Sequence, residues 1–586
     1  MADGEIVVSG YTKTDIKNAI SKLNSASGMS TLYFPDGIYE GSGFSIPSHT
    51  KVVFSKRAVI VPDVSNTEIF MLRGNFPADY TSLTADSFMG DVAINVASTE
   101  GLLAGDWIYI RSNAVLAGVN TFGNLTAEIR RIEKIVGNTI TINQSLQYDF
   151  KVADRSDVGK LGAFVENVEI HGLRIGQYGF KTKFWRGIAM NFCMNVRIFD
   201  ACFIGSRDVG GADMEGAGAV VIRNSVDVVV DRLRANEIGW YGVSLTGACQ
   251  QIKIKDSLFE KCRHATSVVW QDTNADYGEP HEILISDCVS TNSTLSGFDA
   301  HDTGSGITYV NCAAYDSGDN GFQIRNDGPT RLINCAAFRS QNDGVKISSL
   351  FGEDEDKVKQ IRTVMIDGGQ YSNNRRYGIN STAEMCRITN ADFEDNANSA
   401  IIAVGTVVSN CTFNRNGGNN GAITYGHSSA FPVMDFTVTA SRFYYDAQRQ
   451  PYIVQARAVY DERERLRHLR LTHNLFSGYA AVALVYSITT GSVPHPAMDD
   501  NHFDTDYASH RGLATLKSGV ATVNSSYVYV SNNGTYRATN PKIKLTVTAP
   551  GGTGGALYID RVAAGSFTIR STSNTDASTV LWEICY

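Results

Sequence analysis

The chain repeats itself at a spacing of roughly 20–33 residues, the range of periods that marks solenoids. One recurring unit is a β-rich run that reaches Asp or Asn, followed by small or Cys residues and often an aromatic. It reads Ile198-Phe-Asp-Ala-Cys-Phe203, Ile254-Lys-Asp-Ser-Leu-Phe259, Val310-Asn-Cys-Ala-Ala-Tyr315 and Ile333-Asn-Cys-Ala-Ala-Phe338, with later copies at Ser409-Asn-Cys-Thr-Phe413 and Thr472-His-Asn-Leu-Phe476. A second unit, Gly-apolar-x-apolar, sits between these copies. It appears as Gly187-Ile-Ala-Met190, Gly242-Val-Ser-Leu245, Gly297-Phe-Asp-Ala300, Gly321-Phe-Gln-Ile324 and Gly344-Val-Lys-Ile347. Two strand types per period, each alternating with period two, describe one turn of a parallel β-helix. The expected fold class is therefore all-β, and Cys288, Cys312, Cys335 and Cys411 fall in one register as small buried thiols.

The repeat also divides the chain. Thr12-Lys-Thr-Asp15 is a capping-box-like signal, and Ile16, Ala19, Ile20 and Leu23 follow helical spacing. A helix there covers the open edge of the first turn, so residues 1–79 read as a cap helix and the first strands. From 80 to 155 the register is interrupted by Val92-Ala-Ile-Asn-Val96, Asp106-Trp-Ile-Tyr-Ile110 and Asn138-Thr-Ile-Thr-Ile142, which read as a β-rich insertion. The main β-helix is expected over 156–512. Residues 513–586, rich in Val, Thr, Ser and Gly, suit a β-sandwich-like module.

Composition narrows the function classes. With 52 Lys+Arg against 60 Asp+Glu, the net charge is −8, and the absence of a basic block argues against nucleic acid as a partner. No apolar run reaches the ~20 residues of a membrane helix, so no membrane insertion is expected. The opening Met1-Ala-Asp-Gly-Glu5 lacks the regions of a secretory signal, and the ten cysteines show no metal or CxxC spacing. They are expected to be reduced.

From about residue 12 to 510 the chain resembles pectate-lyase-like parallel β-helix proteins, specifically phage tailspikes and tail-borne polysaccharide depolymerases. The cap helix followed by Tyr33-Phe-Pro-Asp-Gly-Ile-Tyr39 carries the likeness, as do Ser566-Phe-Thr-Ile-Arg570 and Val580-Leu-Trp-Glu-Ile584 near the end. The resemblance implies a right-handed coil and a homotrimer on a virion, joined to phage tail or baseplate proteins. It implies an extracellular action that binds and cleaves a bacterial surface polysaccharide: capsule, exopolysaccharide or O-antigen. It also implies that the terminal module assists trimerisation or glycan attachment.

Aligned turns place Asp299, Gln323 and Lys346 in one outward column, with His301, Arg325 and Ser348 in the next. Neighbouring turns lie ~4.8 Å apart and two residues along a strand span ~7 Å, so these groups should share one exposed patch. Such a patch suits β-elimination on a uronate. Arg325 or Lys346 neutralises the substrate carboxylate and acidifies the adjacent C–H. His301 takes that proton or protonates the leaving oxygen, and Asp299 orients or charges His301. Ser296-Gly-Phe-Asp-Ala-His301 is similar to the Tyr-Gly-Phe-Asp-Pro-His motif of mannuronan C5-epimerases, with Ser296 for the Tyr, Ala300 for the Pro, and Arg325 where that family has an Asp. Gln323, Trp270, Asp272, Trp240 and Tyr241 are candidate substrate-binding residues, the aromatics by stacking on sugar faces. Two alternatives stay open. One is a glycoside hydrolase with paired carboxylates, such as Asp299 with Asp302 or Asp272, Glu279 with Glu282, or Asp213 with Glu215. The other is a non-cleaving adhesin. No cofactor is expected, because Glu353-Asp-Glu-Asp356 lacks a recognisable metal-loop spacing; a divalent cation remains an open alternative.

Overall fold

The computed structural model describes residues 5–23, 28–64, 67–115, 125–162, 164–176, 184–206, 218–268, 278–301, 304–326, 328–348, 363–383, 385–417, 421–425, 435–444, 452–456, 469–477, 483–487, 497–499, 502–503, 511–515, 520–524, 542–552, 554–563 and 566–585. The chain divides into two compact units: Met1–Cys335 with Ser349–Ile361, and Ala336–Ser348 with Arg362–Tyr586.

In the first unit, helix α1 (Lys13–Leu23) buries Ile16, Ala19, Ile20 and Leu23. Its start is a reciprocal cap. The Asp15 amide donates to Thr12 Oγ1 at 3.3 Å, and the Thr12 amide donates to Asp15 Oδ2 at 3.0 Å. The helix packs on the strands Glu5–Val7, Ser30–Phe34 and Phe44–Ser45, so the first edge is covered as its amphipathic pattern predicts.

The turns that follow contribute strands to three parallel sheets: I, which holds Val226–Asp231, II, which holds Arg234–Asn236, and III, which holds Tyr241–Thr246. Sheet I aligns like with like: Val228, Ile252, Ile283 and Ile307 are consecutive register partners. The corner from sheet I to sheet II needs a left-handed residue, which explains the recurring Asp or Asn. Asp200, Asp256, Asp287, Asn311 and Asn334 all have φ between 51° and 55°. Asn and Asp tolerate this region better than other side chains. Here they also ladder, Asn311 Nδ2 donating to Asp287 Oδ1 and Asn334 Nδ2 to Asn311 Oδ1, both at 3.0 Å. Inside, Phe298 stacks on Phe322 at 5.0 Å with Tyr309 edge-on to both. Cys288, Cys312 and Cys335 are buried free thiols that donate to backbone carbonyls.

In sheet III, four successive strands matter below: β1 (Tyr241–Thr246), β2 (His264–Val268), β3 (Phe298–Ala300) and β4 (Phe322–Ile324). Their register runs Ser244, Ser267, Asp299, Gln323. The insertion is a six-stranded antiparallel sheet with its own core, including Ile94, Ile108, Ile140 and Phe150. Its strand Asp157–Lys160 extends past residue 155. Arg130 of this sheet donates to Gln250 Oε1 at 2.8 Å, tying it to sheet I.

The second unit repeats the three strand types. A stack of Tyr371, Phe393, Phe413, Phe443 and Phe476 fills it, and Asn374, Asn396 and Asn416 form a buried amide ladder. Cys411 is buried here as well. Two three-stranded antiparallel sheets follow, containing Arg511–Thr515 with Lys542–Ala549 and Thr579–Cys585, and Val520–Asn524 with Leu557–Ala563 and Ser566–Ser571.

The corner argument makes a stability prediction. Asn311→Val places a β-branched residue at φ 52° and should lower stability by about 1–2 kcal/mol, whereas Asn311→Gly should cost less. Thermal melting of the two variants checks the order; a Val variant as stable as the Gly variant would contradict it.

Candidate active site

The outer face of sheet III brings together charged groups from successive turns. Phe298 points into the coil, so its neighbour Asp299 points away from it, but Asp299 is not solvated. It is 0% exposed, and this corrects the expectation of an open surface carboxylate. The cover consists of the side chains around it. His264 Nε2 lies 3.6 Å from Asp299 Oδ2, His301 Nε2 lies 4.0 Å from the same oxygen, and Arg325 Nη2 lies 3.9 Å from Oδ1. Neither carboxylate oxygen receives a direct hydrogen bond among the described residues.

An ionised carboxylate in such a place loses several kcal/mol of hydration. A cation at about 4 Å returns about 4 kcal/mol at an effective dielectric constant of 20. Burial pushes the Asp299 pKa up, but the neighbouring side chains His301, His264, Arg325 and Arg263 outweigh it and the net shift is downward. His264 behaves differently. Burial pushes its pKa down to about 4, against the pull of Asp299, so the imidazole is neutral near pH 7. Its Nδ1 sits 2.7 Å from the Ser296 carbonyl and must donate there, which leaves the Nε2 lone pair turned toward Asp299. The fixed cations that hold Asp299 ionised are thus Arg325 and Arg263.

The backbone sets these positions. The His301 amide donates to the Val268 carbonyl at 2.9 Å and the Arg325 amide to the Ala300 carbonyl at 2.8 Å, placing the two side chains on adjacent turns just beyond β3 and β4. His301 and Arg325 keep 19% and 23% of their side-chain surface exposed. They are the members that a ligand can touch, with Asp299 and His264 behind them.

The other candidates separate. Gln323 is the register partner of Asp299, but it is buried and its Oε1 accepts from Asn320 Nδ2 at 2.8 Å. Tyr241 is buried and stacks on His264 with 5.7 Å between ring centres. One face of Trp240 is covered by the Arg263 guanidinium at 3.6 Å. Tyr241 thus supports the histidine from behind, which corrects its expected role as an open sugar platform, while Trp240 is half-buried with one face against Arg263. Glu279 is also removed as half of an acid pair. It is buried, accepts from the Gly304 amide at 2.7 Å and from the Tyr148 hydroxyl, and so anchors the insertion, while Glu282 lies exposed on sheet I. Lys346 belongs to the second unit, where its Nζ is 4.0 Å from Asp343 Oδ2. Asp343 is buried there and accepts from Asn380 Nδ2 at 2.8 Å; burial raises its pKa, against the pull of Lys346. Trp270, Asp272, Asp302, Asp213, Glu215 and the 353–356 acidic stretch lie outside the described residues.

Two groups were not anticipated, Arg263 and His264. Their strand is in register with the Gly-marked turns, but Ala265 stands where Gly242 and Gly297 stand in the neighbouring turns. The Gly marker therefore passes over it.

With this geometry in place, similarity to known proteins defines a class. Residues 79–162 match the Rider domain of K1 capsule-specific polysaccharide lyase and residues 508–585 its C-terminal domain, while 241–433 match a right-handed β-helix region. The chain therefore carries two stretches similar to domains of K1 capsule-specific polysaccharide lyase, together with a right-handed β-helix region. One relative is the capsule K1-specific depolymerase of Klebsiella phage K64-1, 31% identical over 598 residues. The match covers 99% of this chain and 63% of that protein, so the chain spans less than two thirds of its relative. Two solved tailspikes share the fold. Gp61 of Pseudomonas phage phi297 has a TM-score of 0.60 at 11% identity, covering 98% of this chain and 91% of that one. The Gp54 tailspike of Acinetobacter baumannii bacteriophage AP22, solved with A. baumannii capsular saccharide, has a TM-score of 0.54 at 12% identity, covering 97% and 93%.

The neutral buried His264 makes a pH prediction. Its folded pKa, about 4, lies below the ordinary 6.5. The unfolded chain therefore binds the extra proton as pH falls from 6.5 to 4. The folded state loses stability across that window, by up to ~1.4 kcal/mol per pH unit. His264→Gln should flatten this loss. His281, whose burial also pushes its pKa down to about 4, is present in both proteins and cancels in the difference. Melting temperatures that fall equally in both proteins would contradict a neutral buried imidazole.

Proposed function

We propose that this protein is a phage spike depolymerase that cleaves an acidic bacterial capsular polysaccharide by β-elimination at a uronate. On this reading it acts on the host surface as part of a homotrimeric virion spike attached to the tail. The observation that carries the chemistry is the pairing of accessible His301 and Arg325 around a buried, ionised Asp299. The Rider and C-terminal lyase modules and the capsule-depolymerase relative support the substrate class.

The Arg325 guanidinium binds the uronate carboxylate and stabilises the charge that develops when the neighbouring C5–H is lost. His301 takes the C5 proton. The electron pair forms the C4–C5 double bond, the C4–O4 bond breaks, and the departing oxygen gains a proton from water or from the protonated imidazole. Asp299 holds His301 and Arg325 in place and favours the imidazolium that forms. His264, locked by the Ser296 carbonyl, packs beside that carboxylate and shields it from water. Arg325 supplies charge neutralisation that a metal would otherwise provide, so a chelator should leave the rate unchanged.

Incubation with purified capsular polysaccharide, beginning with the Klebsiella K1 type, should release products with the ultraviolet absorbance of an unsaturated uronate. His301→Ala should lower the rate by about 10²–10⁴-fold, and Arg325→Ala by about 10²–10³-fold. New reducing ends without that absorbance would assign hydrolysis, and binding without cleavage would assign an adhesin. Full activity in His301→Ala would remove this site from the mechanism.

A further inference from the structure

Buried polar groups outside the reacting cluster gather where the insertion meets the coil. Tyr148 of the insertion is held by Glu128, whose Oε1 accepts from the Gln147 and Tyr148 amides at 2.7 and 2.8 Å. The Tyr148 hydroxyl in turn donates to Glu279 Oε1. Direct bonds close the seam on either side of that contact. The Gly278 amide donates to the Leu125 carbonyl at 2.7 Å, and Gln250 Oε1 accepts from Arg130 and lies 3.0 Å from His281 Nε2. The segment that carries Glu279 is thereby fixed on the insertion.

The second oxygen of Glu279 serves another part of the chain. Oε2 accepts from the Gly304 amide at 2.7 Å, three residues beyond His301. Gly304 has a φ of 112°, a conformation that residues with a Cβ rarely adopt. Its carbonyl accepts from Asn326 Nδ2 at 2.9 Å. Asn326 is fully buried, follows Arg325 directly, and also donates to the Gly328 carbonyl at 3.1 Å. One line of hydrogen bonds thus runs from Tyr148 through Glu279 and Gly304 to Asn326, and it meets the chain just past both accessible groups. Three residues reach at most ~11 Å. With the His301 amide bound to the Val268 carbonyl and Gly304 bound to Glu279, the stretch that carries His301 is tied at both ends.

We propose that Glu279 is a positioning residue for the His301–Arg325 pair, and that through Tyr148 it makes the insertion part of the support of the site. The proposal rests on the reading of the Asp299 site given above. Loss of the anchor widens the range of positions open to His301, and small displacements of a reacting group cost rate more than affinity. A staple that only docked the insertion would lower stability and leave turnover alone.

Glu279→Leu, Glu279→Gln and Tyr148→Phe in the full chain test this, each alone and combined with His301→Ala. Thermal melting identifies the folded variants. KM and single-turnover rates with enzyme in excess are measured on the acidic capsular polysaccharide that the wild type degrades. Glu279→Leu should lower the rate about tenfold with KM unchanged, and Tyr148→Phe should cause a smaller loss in the same sense. Glu279→Gln should restore most of the rate, because its amide oxygen still accepts from Gly304 and its NH2 group donates to the Tyr148 oxygen. In the His301→Ala background the Glu279→Leu loss should largely vanish, since the glutamate acts through the imidazole. An unchanged rate in folded Glu279→Leu, or an equal loss with and without His301, would overturn the positioning role. Should Glu279→Leu not fold, Tyr148→Phe decides by the same two criteria. Cleavage without unsaturated products would overturn the elimination reading and leave the coupling to decide the positioning role separately. Full activity in His301→Ala would overturn both.

Discussion

Asp299 is held at 0% exposure with no direct hydrogen bond to either carboxylate oxygen among the described residues, and Arg325 on the next turn is 3.9 Å away. That ion pair, with Arg263 reinforcing it from the turn before, keeps the buried group charged. Without these cations a carboxyl in this place would take up a proton and lose its use as an anchor. The same attraction holds Arg325 beside His301, so one electrostatic contact sets both the protonation state of the hidden acid and the placement of the two exposed groups. His264, too deeply buried to carry charge near neutral pH, closes the remaining side through its bond to Ser296.

Register makes this contact possible. Residues more than twenty positions apart become neighbours because each parallel strand repeats the position of the one before. Asp299 pairs with Gln323, and one residue beyond the paired Ala300 and Ile324 come His301 and Arg325. A slip of one residue would send Asp299 into the coil and Phe298 out of it. The aromatic stack of Phe298, Phe322 and Tyr309 resists that slip from inside, and left-handed Asp and Asn residues fix where each strand ends. Stability features and the chemistry on the outer face are thus set by the same repeat.

Much of this was legible in the sequence, for physical reasons. The coil, the cap helix and the Asp299–His301–Arg325 grouping follow from local periodicity, because parallel stacking converts sequence spacing directly into spatial columns. Burial of those columns does not follow. Asp299 looks solvent-facing from alternation alone, and only the side chains of Arg325, His301 and His264 enclose it. Tyr241 looks like a sugar platform in sequence because an exposed and a covered aromatic look alike there; in the fold it is buried and stacks on His264. The 264–268 turn does not show the repeat in sequence because it replaces the marker Gly by Ala265. The role of Glu279 is not legible in the sequence because its partner, Tyr148, lies in an insertion with no fixed spacing to it.

The most direct test of the elimination account is the rate of cleavage of capsular oligosaccharides carrying deuterium at the uronate C5, compared with the same oligosaccharides carrying hydrogen. The account predicts slower single-turnover cleavage of the deuterated chains by the wild-type protein, because the bond to C5 breaks in the step that His301 assists. Equal rates, with deuterium retained at C5 in the products, would contradict it.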